Sequence, residues 1–445
     1  MLATPVLAWE PPPAKPFAGV EWTLGMIGLL VYLFVIHQGV APLGEAGIGA
    51  ALVGVFIYKD RVRFPVEIGL FLLYMLAGLL STIGAKFPQA ARDNLVEYLK
   101  LGAILWLACN VVRTKQQLRA FVLVWLLFFA VYPMRGVLFN YVFNLTVSGR
   151  VAWNFIFANP NDLAAYCLVP ITMCAGLLVS ERRGFVWFGA LLQLLVLVAI
   201  VFITQSRGGI IALMVTLILL LVRQRPKPKT LMLMALGIAV VGISAPKTVW
   251  NRLSGLTAVG SDDGMSAVDA EGSAAQRVAI WKVAKAIIND YPVFGVGIGT
   301  YSLAHRIYAR NADLPAIARG GRDTHSTYIN ATAETGLFGV GTLLALFLYA
   351  LWKAGKQVEK IKRWSPPVAM QLSFIRFGFI GLMVSGLWGS YQRTAFLYLY
   401  IALMYLFGEI HGKLADQALA AGVGGTAPAG PIRVRPTGRH RMSAA

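Results

Sequence analysis

Apolar runs long enough to cross a lipid bilayer recur from one end of this chain to the other, and crossing hydrocarbon takes about 20 consecutive apolar residues in a helix. A chain built this way has few options. In lipid every backbone N–H and C=O must be paired inside the protein, so only helices and closed barrels span a membrane. A barrel would read as short segments of alternating polarity, whereas the runs here are continuous. The expectation is an all-α, polytopic membrane protein. Composition agrees: 57% of the 445 residues are hydrophobic and 13% are charged, against about 25% charged in a soluble domain. Mean hydropathy is +0.66.

Length and apolarity place about twelve spans. They lie near residues 22–37, 41–58, 65–84, 95–112, 118–132, 163–179, 185–204, 208–222, 231–244, 326–352, 375–389 and 395–407. Residues 87–95 and 137–143 read as interfacial or re-entrant pieces. This gives a membrane unit over 1–244, a loop domain over 245–324, a second membrane unit over 325–410 and a disordered basic tail over 411–445. The proline-rich residues 1–17 lack a signal-peptide layout, so the first span is expected to remain.

The formal net charge is +20. Basic runs at 59–63, 113–119, 182–183, 223–229 and 353–363 all separate apolar spans. Alternating spans put these runs on one side, which the positive-inside rule makes cytoplasmic together with both termini. The charge therefore reads as a topology signal, and no nucleic-acid partner is expected. Cys109, Cys167 and Cys174 fall inside apolar spans and read as small core residues. Asp262 and Asp263 lack the spaced partners of a cation site, so no metal is expected.

The other face carries little lysine but many arginines, among them Arg150, Arg207, Arg277, Arg322 and Arg393. These work against the topology signal. Some are ordinary solvated residues. A cluster of guanidiniums also suits phosphate, which the planar fork grips bidentately. With the N-terminus inside, even-numbered spans begin at this face, and helix N-termini attract anions. Arg207 opens the eighth span, Arg393 the twelfth and His325 the tenth. Arg150 shortly precedes Asn159-Pro160-Asn161-Asp162, which caps the sixth.

The loop over 245–324 is about 80 residues long, far beyond an ordinary connection. Residues 277–288 form a helix candidate, with Val278, Trp281, Ala284 and Lys285 sharing a face. Gly295, Gly297 and Gly299 make a turn that lets backbone approach a ligand. His325 then stands at a polar-to-apolar junction. On residue type alone it is equally an interfacial capping residue. A helix N-terminus and nearby arginines disfavour imidazolium, which would leave a neutral general base. Tyr328, Ile329 and Thr332 follow on one face, and Gly336 and Gly339 allow close packing below.

Taken together, these residues resemble the O-antigen ligase/polymerase superfamily, the Wzy_C group. The resemblance rests on Ser206-Arg207-Gly208-Gly209, Arg277 with Trp281, Pro292 with Gly295, Gly297 and Gly299, and His325 with Tyr328, Gly336 and Gly339. Gly149-Arg150-Val151 before Asn159-Pro160-Asn161 also fits. Ser326 follows the histidine where many relatives carry Asn. The resemblance, which is strongest to an O-antigen ligase, implies a GT-C-like membrane glycosyltransferase of the inner membrane with its active site facing the periplasm. It implies a glycan donor on undecaprenyl diphosphate and a lipid A-core oligosaccharide acceptor, with membrane lipids around it and neither cofactor nor metal. His325, Arg277 and Arg207 would be catalytic. Arg150, Asn159, Asn161, Trp281, Tyr328, Arg322 and Arg393 would bind substrate.

O-antigen polymerases and protein O-oligosaccharyltransferases share these motifs. A lipid-linked glycan flippase is the competing class. Two six-span halves would put the long connection between spans six and seven, where this chain has only the short basic run at 180–184. A transport path would also need charges deep in the spans, where they are sparse.

Overall fold

In the computed structural model the described residues are 12–13, 15–57, 62–146, 149–224, 273–310 and 318–421. Their helices run in the order α1 (Leu24–Gln38), α2 (Ala41–Ile57), α3 (Val66–Ile83), α4 (Pro88–Val111), α5 (Lys115–Phe129), α6 (Arg135–Val142), α7 (Pro160–Ser180), α8 (Phe185–Ile203) and α9 (Arg207–Gln224). Then follow α10 (Ser273–Asp290), α11 (Tyr301–Tyr308), α12 (Thr327–Lys362), α13 (Pro366–Ser385) and α14 (Ala395–Ala420). Among the described residues, 7 helices are long and apolar enough to cross a membrane, and α1 and α2 are shorter apolar helices. The protein is an all-α multi-pass membrane protein. The expected spans at 231–244 and Asp262-Asp263 lie outside the described residues.

Local sequence sets the helix ends. Thr23 accepts the Met26 N–H at 3.1 Å and caps α1. Thr114 and Gln117 form a reciprocal capping box at α5, which satisfies two otherwise orphaned donors. Asn159 and Ser365 cap α7 and α13, each followed by a proline at the first helical position, where no N–H is needed.

Several expected boundaries move. Residues 87–95 are not a separate interfacial piece, because α4 starts at Pro88 and runs unbroken to Val111. Residues 137–143 are not separate either. A π-helical stretch, Ala130–Met134, holds Pro133 and joins α5 to α6 as one 28-residue span. The extra residue per turn accommodates a proline that would otherwise break the ladder. The last helix continues past position 410 to Ala420, held by Lys360 on Asp416 at 2.6 Å. The loop-domain helix buries Ala279, Ile280, Val283, Ala284 and Ile287. The face expected from Val278 and Lys285 is wrong, since both are exposed: the apolar stripe follows Ile280 at i+3, i+4 and i+7.

The basic loops gather at one end of the bundle. Arg119 pairs with Glu181 at 2.6 Å and donates to the carbonyls of Pro13, Lys15 and Pro16. Arg63 donates its backbone N–H to the Asn110 side chain, and Arg223 meets Glu359 at 3.0 Å. Helices α10 and α11 pack against α12 at the opposite end. There α12 is broken: Gly336 has φ 68° and ψ −171° inside the helix. A Cβ at Gly336 would collide with the Val293 carbonyl, and one at Gly295 with the Glu334 carbonyl. The two backbones can approach only because both positions are glycine. The break is filled by bonds from Val296 to Ala333 O, Gly297 to Glu334 O and Leu337 to Pro292 O.

Candidate active site

The end opposite the basic loops brings together the starts of α7, α9, α12 and α14. Arg150 builds the first link. Its Nε donates to the Thr204 carbonyl at 2.9 Å, past the end of α8, and its Nη2 donates to Asn161 Oδ1 at 2.7 Å in α7. Asn159 Oδ1 accepts the Asn161 N–H at 2.8 Å as the α7 cap. Arg207 is the first residue of α9. Ser206 Oγ accepts the Gly209 N–H at 3.1 Å. A Cβ at Gly208 would lie 3.4 Å from Trp388, and Gly209 abuts Ala164 of α7. The small residues after Arg207 thus seat the start of α9 against α7 and the 386–389 turn.

The same turn receives α12. Thr327 donates its N–H to Gly386 O and Gly389 O, each at 2.8 Å, and its hydroxyl to Gly389 O at 2.7 Å. The Tyr391 N–H returns to Thr327 Oγ1 at 2.9 Å. Arg393, exposed just before α14, donates to Asn94 Oδ1 in α4.

His325 stands one residue before Ser326, the α12 cap. Its φ is +50°, a left-handed conformation that a non-glycine residue adopts only when its surroundings impose it. Those surroundings are on both sides. Asp323 Oδ1 accepts the His325 N–H at 2.7 Å and the Ser390 hydroxyl at 2.6 Å. Trp281 of α10 donates its indole N–H to the Thr324 carbonyl at 2.8 Å. The loop helix and the turn before α14 therefore both fix the strand of chain that carries the histidine.

Burial pushes the His325 imidazole below its ordinary value, Asp323 opposes this, and the Arg277 guanidinium adds to it. The direction agrees with the sequence reading, but burial, not the helix dipole, is the leading cause. Arg277 also acts electrostatically on Asp162 and Tyr391, and Asp323 acts on Asp162. One neighbourhood thus holds Arg277, His325, Asp323 and Asp162. Asp323→Asn keeps an acceptor for both hydrogen bonds and removes the negative charge. The His325 imidazolium should then titrate at still lower pH, measured by NMR of the imidazole Cε1 in labelled protein. An upward movement would show that Asp323 does not act through its charge.

The remaining candidates are placed as follows. Tyr328 donates its hydroxyl to the Met383 carbonyl at 2.6 Å, tying α12 to α13. Arg322 donates Nε to the Arg319 carbonyl at 3.0 Å within the loop approaching His325. Sequence reasoning missed Asp323, Ser390 and Asn94, and took Asp162 only as part of the cap of the sixth span. Asp323 had a signal, an acid two residues before a histidine, which suits a local side-chain-to-backbone turn. Asn94 had none, because its tertiary partners Gly299 and Arg393 lie more than two hundred positions away. Among the described residues no group of three or more His, Cys, Asp and Glu could hold a metal ion.

Chemically, this end offers cationic forks and helix N-termini for a polyanion beside a histidine biased toward its neutral form. No curated protein matches the chain. Residues 192–344 match the model of the O-antigen ligase family, a stretch that includes Arg207, Arg277, the glycines from 295 to 299 and His325. Over residues 192–344 the chain therefore resembles the O-antigen ligase superfamily, whose members are glycosyltransferase-like enzymes.

Proposed function

We propose that the protein is an O-antigen ligase. It moves a glycan from undecaprenyl diphosphate to the lipid A-core oligosaccharide at the periplasmic face of the inner membrane, with both termini cytoplasmic. The observation that carries this reading is the gathering of Arg150, Arg207, Arg277 and Arg393 with His325 at the end opposite the basic loops. A diphosphate leaving group needs such cations, and an acceptor hydroxyl needs a neutral base.

In the reaction, His325 takes the proton of the acceptor hydroxyl as its oxygen bonds to the anomeric carbon. The bond from that carbon to the diphosphate oxygen breaks, and the electron pair leaves with undecaprenyl diphosphate. Arg207 and Arg277 stabilise the charge that develops there. Trp281, through the Thr324 carbonyl, and Asp323, through the His325 N–H, position His325, and Asn161, capped by Asn159, holds Arg150 in place.

The test supplies purified protein in lipid nanodiscs with a lipid-linked glycan and three acceptors: lipid A-core, a second lipid-linked glycan and a folded protein. The expected product has the mass of lipid A-core plus glycan, with undecaprenyl diphosphate released. A longer lipid-linked glycan would make the chain a polymerase, and a glycoprotein would make it an oligosaccharyltransferase. Movement of intact donor between leaflets with no transfer would make it a transporter.

A further inference from the structure

Glu334 is a carboxyl group 1% exposed, inside α12 and one turn past the proposed catalytic face. A buried carboxylate is costly unless paired and hydrogen-bonded, and an ionisable residue inside a membrane helix calls for a functional explanation. No part of the proposed reaction uses it. Its surroundings are specific. Glu334 Oε1 accepts the Tyr301 N–H at 3.3 Å, while Oε2 is buried with no hydrogen-bond partner among the described residues. The Glu334 carbonyl accepts the Gly297 N–H at 3.1 Å. Asn94 reaches the same turn, donating Nδ2 to the Gly299 carbonyl at 3.3 Å, while its Oδ1 accepts from Arg393. Arg393 is the cation whose charge acts on Glu334. One chain of contacts therefore runs from Glu334 through the 297–301 turn and Asn94 to an exposed arginine at the outer face.

The local sequence makes this possible. Gly299 has φ 71°, and a Cβ there would strike the Asn94 side chain. The break at Gly336 exposes the backbone of α12 next to Glu334, so the 297–301 turn bonds to both the main chain and the side chain of one residue. Glu334 is acceptor-only when ionised, which suits a group that receives an N–H donor from the turn.

We propose that Glu334 is a positioning residue that clamps the 297–301 turn to the broken α12 and, through Asn94 and its own charge, holds Arg393 in place to meet the anionic leaving group of a lipid-linked donor. The second half of this inference rests on the proposed transferase reading. The first half does not.

The experiment is a double-mutant cycle on the full-length protein in nanodiscs, with Glu334→Gln, Arg393→Gln and the pair. Glutamine keeps an acceptor for the Tyr301 N–H, removes the charge and puts an amide donor in place of the buried second oxygen, which loosens the turn's seat. Two quantities are followed: hydrogen exchange over residues 297–301, and donor KM against kcat in transfer. Glu334→Gln should speed exchange in the turn and raise donor KM about 10- to 100-fold, the range for loss of a charge-assisted bond, with little change in kcat. Arg393→Gln should raise KM similarly, and the pair should be no worse than either single variant. Additive effects on KM would reduce Glu334 to a structural contact and overturn the proposal, as would unchanged exchange in Glu334→Gln. If the wild type transfers no glycan, the transferase reading fails by itself. Faster exchange in both single variants without addition in the pair would then still support the clamp, and additive exchange would still overturn it.

Discussion

His325→Ala should lower turnover by about 10²- to 10⁴-fold, the usual contribution of general-base catalysis, while the lipid-linked donor still binds. Three observations set this expectation. His325 is held in a left-handed conformation by bonds from two directions. Burial and Arg277 bias its imidazole toward the neutral form. The residue lies in the stretch that matches the O-antigen ligase family. The pH dependence follows from the same facts. A base works deprotonated, and its lowered value puts the acid limb of kcat below the ordinary histidine range near 6.5. Turnover should therefore stay high from neutral pH down past that point and fall only at more acidic pH. His325→Gln is the decisive comparison. Glutamine preserves hydrogen bonding but takes up no proton near neutrality. Near-wild-type single-turnover transfer by His325→Gln would demote the histidine to positioning the acceptor. Loss in both variants, with donor binding intact, leaves proton removal as its role.

The membrane frame was legible because hydrocarbon imposes it. The expected spans at 163–179, 185–204 and 395–407 fall on helices of the right kind, since apolar length leaves the chain no other choice. Interruptions were harder to read. An interfacial piece is expected at 87–95, yet Arg92 and Asp93 occupy the first turns of an unbroken α4. Helix registry in the loop domain was misplaced because Val278 is apolar but exposed, while the smaller Ala279 and Ala284 are buried. Small side chains weaken any periodicity argument in exactly such a tightly packed pair.

The site divides along a similar line. Residues at helix starts were readable, because a polar-to-apolar junction is a local signal: Asn159, Arg207 and His325 are where the junctions put them. Residues joined through the fold were not. Ser390 reaches Asp323, and Asn94 bridges Gly299 and Arg393. Such pairings depend on which helix ends meet, and that is set by packing across the bundle. Gly336 shows both aspects. Its presence suggested close packing, but the packing partner is the backbone of the loop domain at Val293, not another membrane helix.

Arg207→Ala and Arg277→Ala should each reduce transfer by about 10²- to 10³-fold, as loss of a preorganised group facing transition-state charge does. Neither change should unfold the protein, because alanine is at least as good a helix former as arginine at both positions. Lysine should recover only a small part of the loss. It restores the charge but replaces a planar fork with a point donor, and a diphosphate is gripped through paired oxygens. The two arginines should nevertheless differ in one respect. The Arg277 charge helps hold His325 neutral, so Arg277→Ala should also move the acid limb of the residual activity to higher pH. Arg277→Lys should keep the limb near its wild-type position while turnover remains low. Arg207 sits at the first turn of α9 and is not among the groups that shift His325, so Arg207→Ala should leave the limb in place. The measurement is a pH–rate profile for each variant under single-turnover conditions, with circular dichroism and thermal unfolding as folding controls. Full activity in both lysine variants would remove the geometric basis of the diphosphate grip. An acid limb that stays put in Arg277→Ala would separate Arg277 from His325 and leave the arginine a role on the donor alone.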